Sequence, residues 1–199
     1  YNGLVQNIAL IREVSFMNKE DAVKLIREPV MGKVFYEDSA VEEIWRYTHG
    51  HPFLLQLLCH DLIDEMNTRG VGNHIGLDLV RYIAIKFVSA KNTHLNHLWQ
   101  YDTNEIEKAI LYHLALHEER HKHGLTAFEM AELLNNYPQE QISLTLSRLL
   151  KRGLIEKEKD TEPGVSPVFI PTIMLFSSWI LHNMRPEEAS RWKTSQPEE

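Results

Sequence analysis

Two histidines four residues apart with a glutamate after the first, His117-Glu118-Glu119-Arg120-His121, match the pattern in which one helix face offers two imidazoles to zinc while the glutamate activates water. Gly124 falls where the extended pattern has its glycine, but Ala127 stands where that pattern has its third histidine. Without a third ligand and a cleft, zinc has neither a catalytic geometry nor a bound substrate. A zinc-dependent hydrolase is therefore a remote alternative, and no residue is assigned as catalytic acid, base or nucleophile. His117, His121 and His123 have the ligand chemistry for adventitious metal binding, but no metal site is assigned to them.

The second cluster is Gly50-His51-Pro52, which ends one apolar-periodic segment and opens another. Glycine stops a helix, and proline suits a first turn whose N–H groups have no intrahelical partner. Such a helix start presents bare N–H groups and the positive end of the helix dipole, and His51 can add a hydrogen bond beside them. The plain reading is a pair of caps. No Gly-x-x-x-x-Gly-Lys-Ser/Thr occurs, since Gly32-Lys33 continues into Val34, so the amide cradle for a triphosphate is missing from this sequence. Cys59, the single cysteine, sits in the apolar run Pro52-Phe53-Leu54-Leu55-Gln56-Leu57-Leu58 and reads as a packing residue.

The elements that must hold these groups are mostly helices. Asn18 caps a helix near 19–27 that Pro29 ends, and Ala40, Val41, Ile44, Trp45 and Tyr47 mark a second over 38–48. A third runs from Pro52 to about Thr68, and after a glycine-rich turn Leu77, Val80, Ile83, Ala84, Phe87 and Val88 form the stripe of a fourth. Residues 16–92 then make a helical domain, preceded by a short apolar segment at 1–15 that reads as a strand cut from something larger. Residues 93–102, rich in histidine and asparagine, read as a linker. Beyond it come a helix over about 104–117, a short helix from Thr126, a tight Asn135-Asn136-Tyr137 link and a helix from Pro138 to Gly153. Two strand candidates flank a Pro/Gly turn, and a last helix spans Ile173 to about Asn183. That order over 103–183 is the order of a winged helix, with a charged, loose tail at 184–199. Trp45, Tyr47, Phe53 and Trp179 lie on apolar stripes and are expected in the core.

Composition sets limits on function. Acidic side chains outnumber basic ones 28 to 21 in the 199 residues, a formal charge of −7 that repels nucleic acid on average. No stretch approaches the roughly 18 consecutive apolar residues of a membrane span, and no basic-then-apolar leader opens the sequence. With one cysteine, the expectation is a cytoplasmic protein without membrane contact.

Lys19-Glu20-Asp21-Ala22 through Leu25-Ile26-Arg27-Glu28-Pro29-Val30, followed by Thr48-His49-Gly50-His51-Pro52-Phe53-Leu54-Leu55-Gln56, resembles the end of the core and the lid of the STAND class of signal-transduction ATPases, within the AAA+ lineage. The resemblance extends over most of the chain. It implies a mainly α fold, a four-helix lid followed by a winged helix, with the P-loop core missing. It further implies that His51 and Pro52 lie against the base side of ATP or ADP in the intact protein, while this fragment by itself holds no cofactor. The implied partners are the missing core and effector domains of the same chain, together with a protein partner or self-association.

The winged-helix surface poses a choice. Gln139, Gln141, Thr145, Arg148, Lys151 and Arg152, with Ser143 and Ser147, are expected to line the exposed face of the helix after Pro138, and Lys157 and Lys159 add charge on the wing. Glu140 stands where base edges are usually read, and Glu156, Glu158, Asp160 and Glu162 offset the wing lysines. That balance favours a protein surface over DNA. A DNA-binding transcription regulator is the alternative.

Overall fold

A computed structural model describes residues 16–70, 72–90, 93–158 and 166–184. The expected strand at 1–15, Lys159 and the tail beyond Met184 lie outside the described residues. The described residues are mainly helical, with two small sheets among them.

Helix α1 (Lys19–Arg27) starts where the Asn18 side chain accepts the Asp21 amide at 2.9 Å, and a 3-10 turn through Pro29 ends it. Strand β1 (Phe35–Tyr36) leads into α2 (Asp38–Thr48) and α3 (Pro52–Arg69). Strand β2 (His74–Ile75) pairs in parallel with β1, Phe35 opposite His74, and is followed by α4 (Leu77–Ser89). Ala22, Ile26, Ile44, Leu55, Leu58, Leu62, Ile75 and Val80 are buried together, the core of this half.

The residues read as a linker form a helix instead, α5 (Thr93–Tyr101). Their polar composition is that of one helix face, for Leu95 and Trp99, four apart, are buried in the second core. Thr103, also buried, donates to the carbonyl of Trp99 at 2.6 Å and ties the helix end to the next element.

Helix α6 (Glu105–His121) opens with a capping box in which Asn104 and Glu107 each accept the other's amide. A second capping box, Thr126 with Glu129, joins β3 (Leu125–Thr126) to α7 (Ala127–Leu133). Helix α8 (Gln139–Lys151) leads to β4 (Ile155–Lys157), and β5 (Val168–Pro171) leads to α9 (Met174–Asn183). The sheet is antiparallel in the order β3-β5-β4, with Leu125 opposite Phe169 and Lys157 opposite that same residue on the other edge. Gly124 fits because a Cβ there would stand 2.2 Å from the Phe169 carbonyl oxygen.

The second core draws on both halves of the chain. Leu54, Ala84 and Phe87 join Ile110, Leu114, Leu146, Leu149, Phe176 and Trp179 in one cluster. Helix α9 packs on α4 as well as on α6, and the Asn183 side chain donates to the Val88 carbonyl at 2.9 Å. Buried apolar side chains stabilise by about 1.5–3 kcal/mol each, so a seam of this kind resists separation of α9 from α4.

Candidate functional site

The loop between α2 and α3 is a sharp reversal set by two successive left-handed residues, His49 at φ 45° and Gly50 at φ 70°. Gly50 is needed twice over. A side chain there would be strained, and its Cβ would lie 2.3 Å from the Met17 carbonyl oxygen and 2.7 Å from the Trp45 ring. Met17 also donates its amide to the Gly50 carbonyl at 2.9 Å.

His51 then caps α3 with Pro52 in its first turn. Its Nδ1 accepts the Leu54 amide over a long 3.4 Å, which makes Nε2 the protonated nitrogen and the available donor. Burial lowers the imidazole's pKa against a smaller opposing backbone hydrogen bond, so His51 is neutral near pH 7. A neutral donor beside a helix N-terminus suits the ring nitrogen of a base better than it suits a phosphate. Phe16, for which the sequence carried no signal, stands edge-on to His51 with centroids 5.3 Å apart.

The same Phe16 ring reaches the other half of the chain. A Cβ on Gly153, which has φ 69° in the turn from α8 to β4, would be 2.5 Å from it. Next to this contact, His49 Nε2 lies 3.6 Å from the Glu156 carboxylate on β4, and the His49 ring stacks on Trp45 at 5.4 Å. The Gly50 loop is thus seated on the turn that follows α8.

On α8, Gln139, Gln141, Arg148 and Lys151 are exposed as expected, and so is Lys157 on the wing. Thr145 is a correction: it is fully buried, and its hydroxyl donates to the Gln141 carbonyl at 2.7 Å. Its place on α8 puts it beside Ile142, Leu146 and Leu149 on the inward face, where a hydroxyl satisfied within its own helix is tolerated. Arg152 is engaged within the chain. Its guanidinium donates to the Asp102 carbonyl at 2.8 Å and pairs with Glu107 at 3.2 Å. Between the remaining polar groups Leu144 is 58% exposed, and Phe128 on α7 is 62% exposed. Phe53, expected in the core, is also exposed and packs on His94 with centroids 4.2 Å apart.

A cleft of about 480 Å³ lies where the two halves meet, lined by Arg46 of α2 and His49 just after it, Glu118, Glu119 and Lys122 from the end of α6, and Ser177 and Leu181 of α9, among others. Glu118 therefore faces this cleft. Arg46 is held at its edge by Glu43, whose carboxylate accepts two bonds from it at 2.8 and 2.6 Å and a third from Arg81 at 3.3 Å. Burial pushes Glu43 up, but the two guanidiniums outweigh it and hold the carboxyl below its usual range. The i, i+3 spacing of Glu43 and Arg46 was visible in the sequence, whereas the partner 38 residues on was not. Cys59 is half-buried, and burial pushes its thiol up to about 12, consistent with a packing role.

His117 donates Nδ1–H to the His123 carbonyl at 2.8 Å, and His123 Nδ1 lies 3.3 Å from Glu158. Among the described residues no group of three or more His, Cys, Asp or Glu side chains is arranged to hold a metal ion. No described helix is long and apolar enough to cross a membrane.

No family model matches the chain, and no curated protein matches it. Among solved structures it is similar to a RuvB mutant from Thermotoga maritima at 19% identity and a TM-score of 0.37, over 76% of this chain and 47% of that one.

Proposed function

We propose that this chain is a non-catalytic regulatory part of a nucleotide-dependent signalling ATPase, a lid followed by a winged helix that couples ATP or ADP state to protein contacts. The observation that carries this reading is the seating of the Gly50 loop on the turn after α8, through Phe16 against Gly153 and His49 beside Glu156. In the proposed intact protein, His51 Nε2–H and Pro52 meet the base of the nucleotide, with the triphosphate held by a P-loop core outside this sequence. A shift of the loop on exchange of ATP for ADP then moves the start of β4 and the end of α8 together. The order α6, β3, α7, α8, β4, β5 supports the winged-helix reading, and the STAND resemblance supplies its context. Cytoplasmic location belongs to the same proposal.

The partner surface we assign is the outer face of α8, with Gln139, Gln141, Arg148 and Lys151, and Lys157 on the wing. Leu144 amid these groups favours protein, because an exposed leucine adds nothing to phosphate contact and suits an apolar contact patch. Arg152, already engaged by Asp102 and Glu107, contributes less.

Fluorescence anisotropy of a mixed-sequence duplex against the chain, from about 50 to 200 mM salt, separates the two partner classes. Absence of binding at the low end is the expected result. Tight binding that falls steeply with salt and weakens in Arg148→Ala would replace the protein-contacting reading with the DNA-binding one.

A further inference from the structure

The histidine pair set aside as a catalytic motif has a geometry of its own. His117 and His121 occupy successive turns at the end of α6, with ring centroids 4.5 Å apart and planes at 41°. Because a carbonyl only accepts, the 2.8 Å contact to His123 fixes the proton of His117 on Nδ1 and leaves the Nε2 lone pair for a ligand. Orientation of a metal-binding imidazole by such a bond from its other nitrogen is the usual arrangement. Glu158 lies 3.3 Å from His123, so a carboxylate stands at the edge of the pair's surroundings.

We infer that His117 and His121 chelate one divalent transition-metal ion, with water in the other positions. Two imidazoles four residues apart share one helix face, the spacing that lets one ion take a nitrogen from each. A metal–nitrogen bond of about 2.0–2.1 Å puts each ring centroid about 3.2 Å from the metal, so rings sharing an ion stand no more than about 6.4 Å apart. The 4.5 Å between these two rings lies within that reach, and imidazole suits Ni²⁺, Cu²⁺ and Zn²⁺ alike. Through His117 and the His123 carbonyl the ion ties the last turn of α6 to the segment entering β3.

Calorimetric titration of Ni²⁺ into the tag-free chain at pH 7.5 tests this, with His121→Asn as the decisive variant because His121 is exposed and its loss leaves the fold intact. One ion per chain is expected, with affinity at least tenfold lower in His121→Asn and in His117→Asn and unchanged in His97→Asn. Saturating Ni²⁺ should also raise the Tm by about 2–4 °C in the parent and not in His121→Asn. Binding that survives His121→Asn within twofold, or no binding at millimolar Ni²⁺, would each overturn the assignment.

Discussion

The ring of Phe16 stands edge-on to the imidazole of His51, centroids 5.3 Å apart and planes at 88°, and the same ring lies 2.5 Å from where a Cβ on Gly153 would stand. One side chain thereby joins the start of α3 to the turn after α8. His51 owes part of its burial to that ring, and burial is what lowers its pKa. Phe16→Ala should therefore raise the His51 pKa toward the ordinary histidine value, read from the ring C–H shifts in an NMR titration. The sign for stability follows. Because the folded pKa lies below the unfolded one, the unfolded chain binds more protons between them, and stability falls as pH drops through that window. Phe16→Ala should flatten that part of the pH–stability curve. An unchanged His51 titration would show that Phe16 does not desolvate it.

Gly50 and Gly153 bracket the same contact, and both are at positive φ with a neighbour where a Cβ would go. Gly50→Ala combines left-handed strain of about 1–3 kcal/mol with a clash against backbone, which cannot turn aside. Gly153→Ala meets the edge of an aromatic ring, which can. Urea unfolding should rank Gly50→Ala as the more destabilising. The reverse order would mean that Met17 yields more readily than Phe16.

Most helix positions were legible from the sequence because caps and apolar spacing are local signals: Asn18 and Thr126 each sit where a helix begins. The capping boxes of Asn104 with Glu107 and Thr126 with Glu129 emerge only in the structure. The 93–102 segment was misread because a nine-residue helix with only Leu95 and Trp99 buried looks polar on average. Thr145 was misread for the converse reason, since a threonine on a polar-looking helix gives no sign that its hydroxyl is satisfied four residues back. The parts of the candidate site that join the two halves, Phe16 with Gly153, His49 with Glu156 and Arg152 with Glu107, depend on tertiary contacts that no local spacing encodes.

Two arginines four apart, one on α8 and one capping its end, should behave differently. Arg148 is exposed, whereas Arg152 holds the Asp102 carbonyl and the Glu107 carboxylate, whose side chain is only 6% exposed. Arg152→Ala leaves that carboxylate short of a partner and should cost about 1–3 kcal/mol. Arg148→Ala should stay within about 0.5 kcal/mol. Denaturant midpoints at constant m-value measure both, and equal costs would mean that the Arg152 contacts are not formed in solution.

Glu43 carries the clearest acid sensitivity. Arg46 and Arg81 hold its carboxyl below the ordinary range despite burial, so its folded pKa lies under its unfolded one. Its contribution is present in full above the unfolded carboxylate value of about 4.3 and is lost as pH falls through the lower folded value. Glu43→Gln removes the titrating group while keeping a partial acceptor. The variant should be less stable than the parent at pH 7 and approach it as pH falls through the lowered folded value, where the parent's Glu43 takes up its proton. Thermal unfolding at pH 7, 5, 4 and 3 measures the two curves. A gap that stays constant across that range would assign the loss to packing, and the pair of arginines would then contribute nothing through charge.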